Sequence, residues 1–231
     1  MCERIRSSKG VYGSFWTSPL AQPVSVTAFF DTLASLLRRD AASDVSADAP
    51  DAVLVEAARN GDTRAFGHLV ARYEPVVAAT VIGMMGPGPE ADDVGQETMI
   101  RLYRALDQFD GTAQLKTYVT RIAINASIDA LRVRQRRQRR MRSRDAPHPP
   151  NEPPAHAETA IDRRERSRLV RRAVRQLDPP YRAVVVLRLL DGYSTQETAE
   201  ILDIPYGTVL SRLHRAKKQL ADWLRPLLDA P

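Results

Sequence analysis

Apolar residues recur along this chain at the three- and four-residue spacing of helices, not in the alternation of strands. Between residues 51 and 138 four such stretches follow one another. AVLVEAARN reads as a first helix, capped by Asp51 and stopped at Gly61. Asp62 or Thr63 caps a second, in which Phe66, Leu69, Val70 and Tyr73 share a face. GMMGPGPEA breaks the chain. Glu90, Asp92 and Asp93 then open a third helix, where the helix dipole favours acids, and it runs on through Met99, Ile100, Tyr103 and Leu106. After the turn FDGTAQ, a fourth helix covers LKTYVTRIAINASIDALRVRQRR, with Leu115, Val119, Ile122, Ile128 and Leu131 as its expected buried stripe.

The pattern lapses over residues 139–160, where Pro147, Pro149, Pro150, Pro153 and Pro154 follow a run of arginines. Such a stretch predicts a flexible Pro/Arg-rich linker, semi-rigid where the prolines cluster. Helical periodicity returns at 161–228, first in LVRRAVRQL and, past Pro179-Pro180, in YRAVVVLRLL. The expected fold class is therefore all-α, two helical domains on a tether that sets few limits on their orientation. Residues 1–50 form an N-terminal extension. Within it, residues 27–39 hold Phe29, Phe30, Leu33, Leu36 and Leu37 on one helical face, suited to a partner or to packing on the neighbouring domain.

The segment GYSTQETAEILDIPYGTVLSRLHRAKKQL has the layout of a helix-turn-helix. Ser194 or Thr195 caps a short helix carrying Ala199, Ile201 and Leu202; Asp203-Ile204-Pro205 makes the turn; a second helix starts near Gly207-Thr208. Val209, Leu213, Ala216 and Leu220 face inward on it, while Ser211, Arg212, His214, Arg215, Lys217 and Lys218 point elsewhere. An apolar back with a basic, hydrogen-bonding front suits the major groove of DNA.

Composition sharpens this picture. The net charge is +6 and the excess is mostly arginine, whose planar fork matches phosphate. Cys2 is the lone cysteine, which excludes an internal disulfide and a cysteine-based zinc site, and four histidines make a metal centre improbable. No apolar run approaches the roughly 20 residues of a membrane helix, so a cytoplasmic protein is expected. Neither a phosphate-cradling glycine loop nor a nucleophile pair accompanies Asp92, Asp93 and Glu97, so no catalytic residue, metal or cofactor is expected. A response-regulator type of DNA-binding protein needs a doubly wound domain upstream, and residues 51–138 show no βα alternation.

The fourth helix carries a second signal. Beside its apolar stripe it presents Lys116, Tyr118, Arg121, Asn125 and Asp129, with Arg132 and further arginines beyond. An aromatic, an amide and arginines on one face stack on bases, bond their edges and neutralise phosphate. ADDVGQETMIRLYRAL, FDGTAQLKTYVTRIAINASIDALR and LDPPYRAVVVLRLLDGYSTQETAEILDIPYGTVLSRLHRAKKQL together resemble the sigma-70 family, within it the small extracytoplasmic-function (ECF) group. The first two match the family's region 2 and the third its region 4, so residues 51–138 and 161–228 become those two domains.

That resemblance implies a bacterial alternative sigma factor that binds core RNA polymerase, recognises −10 and −35 promoter elements and promotes melting. Asp92, Asp93, Gln96 and Glu97 stand where the family docks on the clamp helices of the largest polymerase subunit. Lys116, Tyr118, Arg121, Asn125, Asp129 and Arg132 stand where it reads the −10 element as melted single strand. Gln196, Thr208, Ser211, Arg212, His214, Arg215 and Lys217 stand where it reads the −35 element as duplex. The flap of the second-largest subunit and an anti-sigma factor are further implied partners, with no small-molecule substrate. Tyr118 replaces a usual tryptophan, and Leu210 a usual arginine or lysine after Gly-Thr-Val, which removes a phosphate or base contact.

Overall fold

A computed structural model describes residues 45–142 and 163–228. The helix expected over 27–39 and most of the expected linker lie outside these residues. The first half holds α1 (Asp51–Arg59), α2 (Thr63–Met85), α3 (Pro89–Ala105) and α4 (Leu115–Arg142). The second holds α5 (Arg163–Gln176), α6 (Pro179–Val185) continued by a π-helical turn (Val186–Leu190), α7 (Thr195–Leu202) and α8 (Tyr206–Leu228). No strand occurs among the described residues.

Local chemistry sets most of the helix ends. Asp62 caps α2, its carboxylate accepting from the amides of Arg64 at 2.9 Å and Ala65 at 3.2 Å. Gly86, at φ 84°, takes the chain out of α2 in a conformation that other residues adopt only with strain. Pro89 and Pro179 open α3 and α6 at positions whose N–H has no helical partner in any case. Ser194 and Glu197 exchange hydrogen bonds as a capping box at the start of α7. Asp203, at φ 51°, ends α7 and turns the chain into α8.

Two local expectations give way. Asp51 does not cap α1: Pro50 occupies that position and Asp51 lies in the first turn. Its carboxylate instead accepts from Arg72 at 2.6 Å and from the hydroxyl of Tyr73, so a long-range partner outcompetes the local amides. The fourth helix also runs four residues past the expected boundary at 138, to Arg142, because nothing in its arginine run breaks a helix.

In the first half, α2 packs on α1, α3 and α4, and α3 packs on α4. In the second, α8 packs on α5, α6 and α7. The tether leaves the orientation of the halves open, and they pack against each other. α4 packs on α7, while the C-terminal part of α2 packs on α5, α6 and the π-helical turn. One buried cluster runs through both, from Val81 and Met84 to Val186, Leu187, Tyr193 and Ile201. Contact on two sides also alters the expected stripe of α4. Leu115, Val119 and Leu131 are buried, but so are Ala123, Ile124, Ala126 and Ser127, while Ile122 and Ile128 are only half-buried.

Candidate nucleic-acid and polymerase interface

Polar contacts close the junction between the halves. The Thr80 hydroxyl on α2 donates to Asp191 at 2.8 Å. The hydroxyls of Thr120 on α4 and Tyr193 share a buried hydrogen bond of 2.7 Å. Arg182 of α6 is only 5% exposed. Its guanidinium donates to Met84 O at 2.6 Å across the junction, and to Arg175 O and Leu177 O within its own half. Burial costs this cation solvation, and Arg134 and Arg175 repel it, so its pKa falls to about 10; it remains charged at neutral pH. Burial raises Asp191 to about 6, against the opposing pull of the Thr80 hydrogen bond and Lys116. Gly83 lets the π-helical turn approach, since a Cβ there would lie 2.8 Å from Val186 Cγ1.

The residues expected to read single-stranded DNA divide into two groups on α4. Arg121 reaches across the junction and donates to Glu200 O at 2.6 Å. The ammonium of Lys116 lies 5.0 Å from the centre of the Tyr193 ring, a cation–π distance. The second half therefore occupies these two cations. Asn125, Asp129 and Arg132 stay exposed. Tyr118 is half-buried and its ring lies 5.1 Å from that of Phe109, centre to centre. Arg59 of α1 holds the Phe109 loop in place, donating to Leu106 O at 2.9 Å and to Phe109 O.

The acidic set sits on α3. Asp92 and Asp93 are exposed, Gln96 and Glu97 half-buried. Glu97 is engaged by Arg101 at 2.8 Å, and Arg101 lies 3.6 Å from Asp129, which is also 3.6 Å from Arg132. A single chain of charges thus joins the acidic set to the α4 face. Arg134 ties the same two helices through Glu90 at 3.2 Å. Beside Asp92, an apolar groove between α2 and α3 is lined by Val77, Val81, Ala91 and Met99.

The remaining set lies at the start of α8. Val209 and Ala216 are fully buried behind it, with Leu213 and Leu220 partly so. Ser211, His214, Arg215 and Lys217 are exposed, whereas Thr208 and Arg212 are half-buried. The Ser211 hydroxyl donates to Thr208 O at 3.1 Å, and Gln196 on α7 bonds Glu200 at 3.0 Å. The helix thus keeps the apolar back and basic front that its sequence predicts.

Sequence reasoning missed Arg101, Arg182, Asp191 and Gly83. Only Arg101 carries a local signal, the four-residue spacing to Glu97.

Comparison with known proteins decides the family. The family described as "Sigma-70 region 2" matches residues 69–137, and "Sigma-70, region 4" matches residues 167–220. The ECF RNA polymerase sigma-E factor of Salmonella typhimurium is 36% identical over 185 residues, covering 77% of this chain and 96% of that protein. This chain belongs to the sigma-70 family, in its ECF group. It is an alternative sigma factor acting in transcription initiation. The RNA polymerase sigma-H factor of Pseudomonas aeruginosa is 34% identical over 187 residues, with 77% and 95% covered. The solved structure of CnrH, in complex with the cytosolic domain of CnrY, is 28% identical with a TM-score of 0.56, covering 78% of this sigma factor and 99% of that chain.

Proposed function

We propose that this sigma factor grips promoters at two points: the α4 face binds the melted −10 strand and α8 enters the −35 major groove. The observation that carries this reading is the pairing of two nucleic-acid faces in one chain. One is Asn125 and Arg132, exposed on α4 beside Lys116, Tyr118 and Arg121; the other is the basic front of α8. An amide suits a base's Watson–Crick edge, and arginines and lysines suit phosphate.

The exposed carboxylates Asp92 and Asp93, with Gln96 and Glu97 next to them, dock on basic residues of the polymerase clamp. The flap of the second-largest subunit holds the second half. The role is one of recognition, with polymerase supplying the chemistry. It is exercised in the cytoplasm, in keeping with described helices of which none is both long and apolar enough to cross a membrane. A protein of the anti-sigma class holds the free factor inactive; CnrH, solved with the cytosolic domain of CnrY, supports such a partner.

Sequencing RNA 5′ ends after overexpression tests the reading. New starts should share two short motifs at fixed separation upstream. Starts sharing only one motif would remove the two-point grip.

A further inference from the structure

The exposed surface of α8 is not uniformly polar. Tyr206, its first residue, is 51% exposed and Leu210, one turn on, is 46% exposed. His214 continues the same row at the next four-residue step. Leu210 takes no part in the cluster of Val184, Ala199 and Val209 behind the helix, nor does it flank that cluster as Leu202, Ile204 and Leu213 do. It stands next to Ser211 and among Arg212, Arg215, Lys217 and Lys218, a setting whose charges suit a polyanion.

We infer that Leu210 is a specificity-determining residue that reads a thymine in the −35 element by packing on its C5-methyl group. This rests on α8 being the −35 reader. In the major groove, phosphates and base edges are polar except for that methyl, so it alone gains from covering an exposed leucine. The N-terminal residues of a recognition helix are those that reach base edges, and Leu210 is the fifth residue of α8. Arg212, Lys217 and Lys218 supply attraction to phosphate, which leaves Leu210 free to discriminate. The missing arginine or lysine at this position thus trades a charged contact for an apolar one, and shifts the sequence read there towards A·T.

The test uses holoenzyme formed with core polymerase and a promoter library randomised at −35. Selection should return one position fixed as thymine. Replacing that thymine with deoxyuridine, which deletes only the methyl, should lower promoter occupancy about four-fold, the worth of one buried methyl group. In Leu210→Ala holoenzyme the same replacement should change nothing, and a repeated selection should lose the thymine while keeping the other positions. Leu210 is exposed on a helix that alanine also favours, so this variant retains the fold.

Absence of any selected thymine, or an equal deoxyuridine penalty in both proteins, would overturn the inference. So would a uniform loss across all −35 sequences in Leu210→Ala, which would make Leu210 a polymerase contact. Scrambling the whole −35 element separates the two readings. An effect of scrambling without a methyl effect removes Leu210 alone, and no effect of scrambling removes α8 as the −35 reader.

Discussion

Asn125 and Asp191 hold the two residue-scale consequences of this arrangement. Asn125 is exposed on α4 with no side-chain partner among the described residues, so Asn125→Ala should leave the fold and binding to core polymerase intact. It should reduce strand opening at the start site, read as weaker permanganate reactivity of thymines; unchanged footprints would take Asn125 out of the −10 site. Asp191 is raised to about 6 because packing of the two halves buries it against Thr80 of α2. Lys116 and Tyr193 are the other titratable groups acting with it.

The packed form therefore holds a proton at pH 5 that the separated form, with an ordinary carboxyl near 4, releases. Packing is favoured most below about pH 4 and weakens as pH rises through about 6. Fluorescence transfer between dyes attached at the exposed positions 56 and 219 should fall across that window in the native protein and stay flat in Asp191→Asn. A flat native profile would contradict the burial of Asp191.

These contacts also show where the sequence is silent. The Asp62 cap and the Ser194–Glu197 capping box are legible because their partners lie two or three residues away. Thr80 and Asp191 are separated by 111 residues, Met84 and Arg182 by 98, and Thr120 and Tyr193 by 73. No local pattern marks such pairs. Asp51 fails as an expected cap for the same reason, since Arg72 lies 21 residues on.

Among the elements, α8 is the most legible. Its inward row of Val209, Leu213, Ala216 and Leu220 follows helical period, so the outward row of candidate DNA contacts is fixed by subtraction. Arg215→Ala should weaken −35 recognition by about 1–3 kcal/mol and relax sequence choice at one position. Equal loss on every promoter sequence would reassign Arg215 to phosphate. The fourth helix was legible only in part. Its first-half stripe is apolar, but its other buried positions include Thr120, Ala123 and Ser127, which look like surface in the sequence. Small side chains let two helices approach closely, and hydroxyls there find partners at the junction or in their own helix.

At the scale of the whole molecule, the junction engages two of the side chains proposed to bind the promoter. Arg121 donates to Glu200 O and Lys116 sits over Tyr193, so on the proposed −10 role of these cations the packed halves compete with DNA for them. Gly83 gives a handle on that equilibrium remote from both DNA faces. A Cβ at Gly83 would already lie 2.8 Å from Val186 Cγ1, and Gly83→Leu should force the halves apart while each retains its helices. The free protein should then expand in small-angle scattering and bind single-stranded −10 DNA more tightly than the native chain. Expansion without tighter binding would mean that the junction does not mask the α4 face.

The pairing of an α4 face with the α8 helix in one chain makes polymerase the carrier of both, and reconstitution with purified core polymerase tests that most directly. Addition of this protein should produce transcripts with defined 5′ ends from promoters of its own regulon, and none should arise from core polymerase alone. Substituting Asp92 and Asp93 with lysine should abolish those transcripts together with binding to polymerase. A protein that binds the same promoter fragments yet yields no start-site-specific transcript with core polymerase would contradict the account.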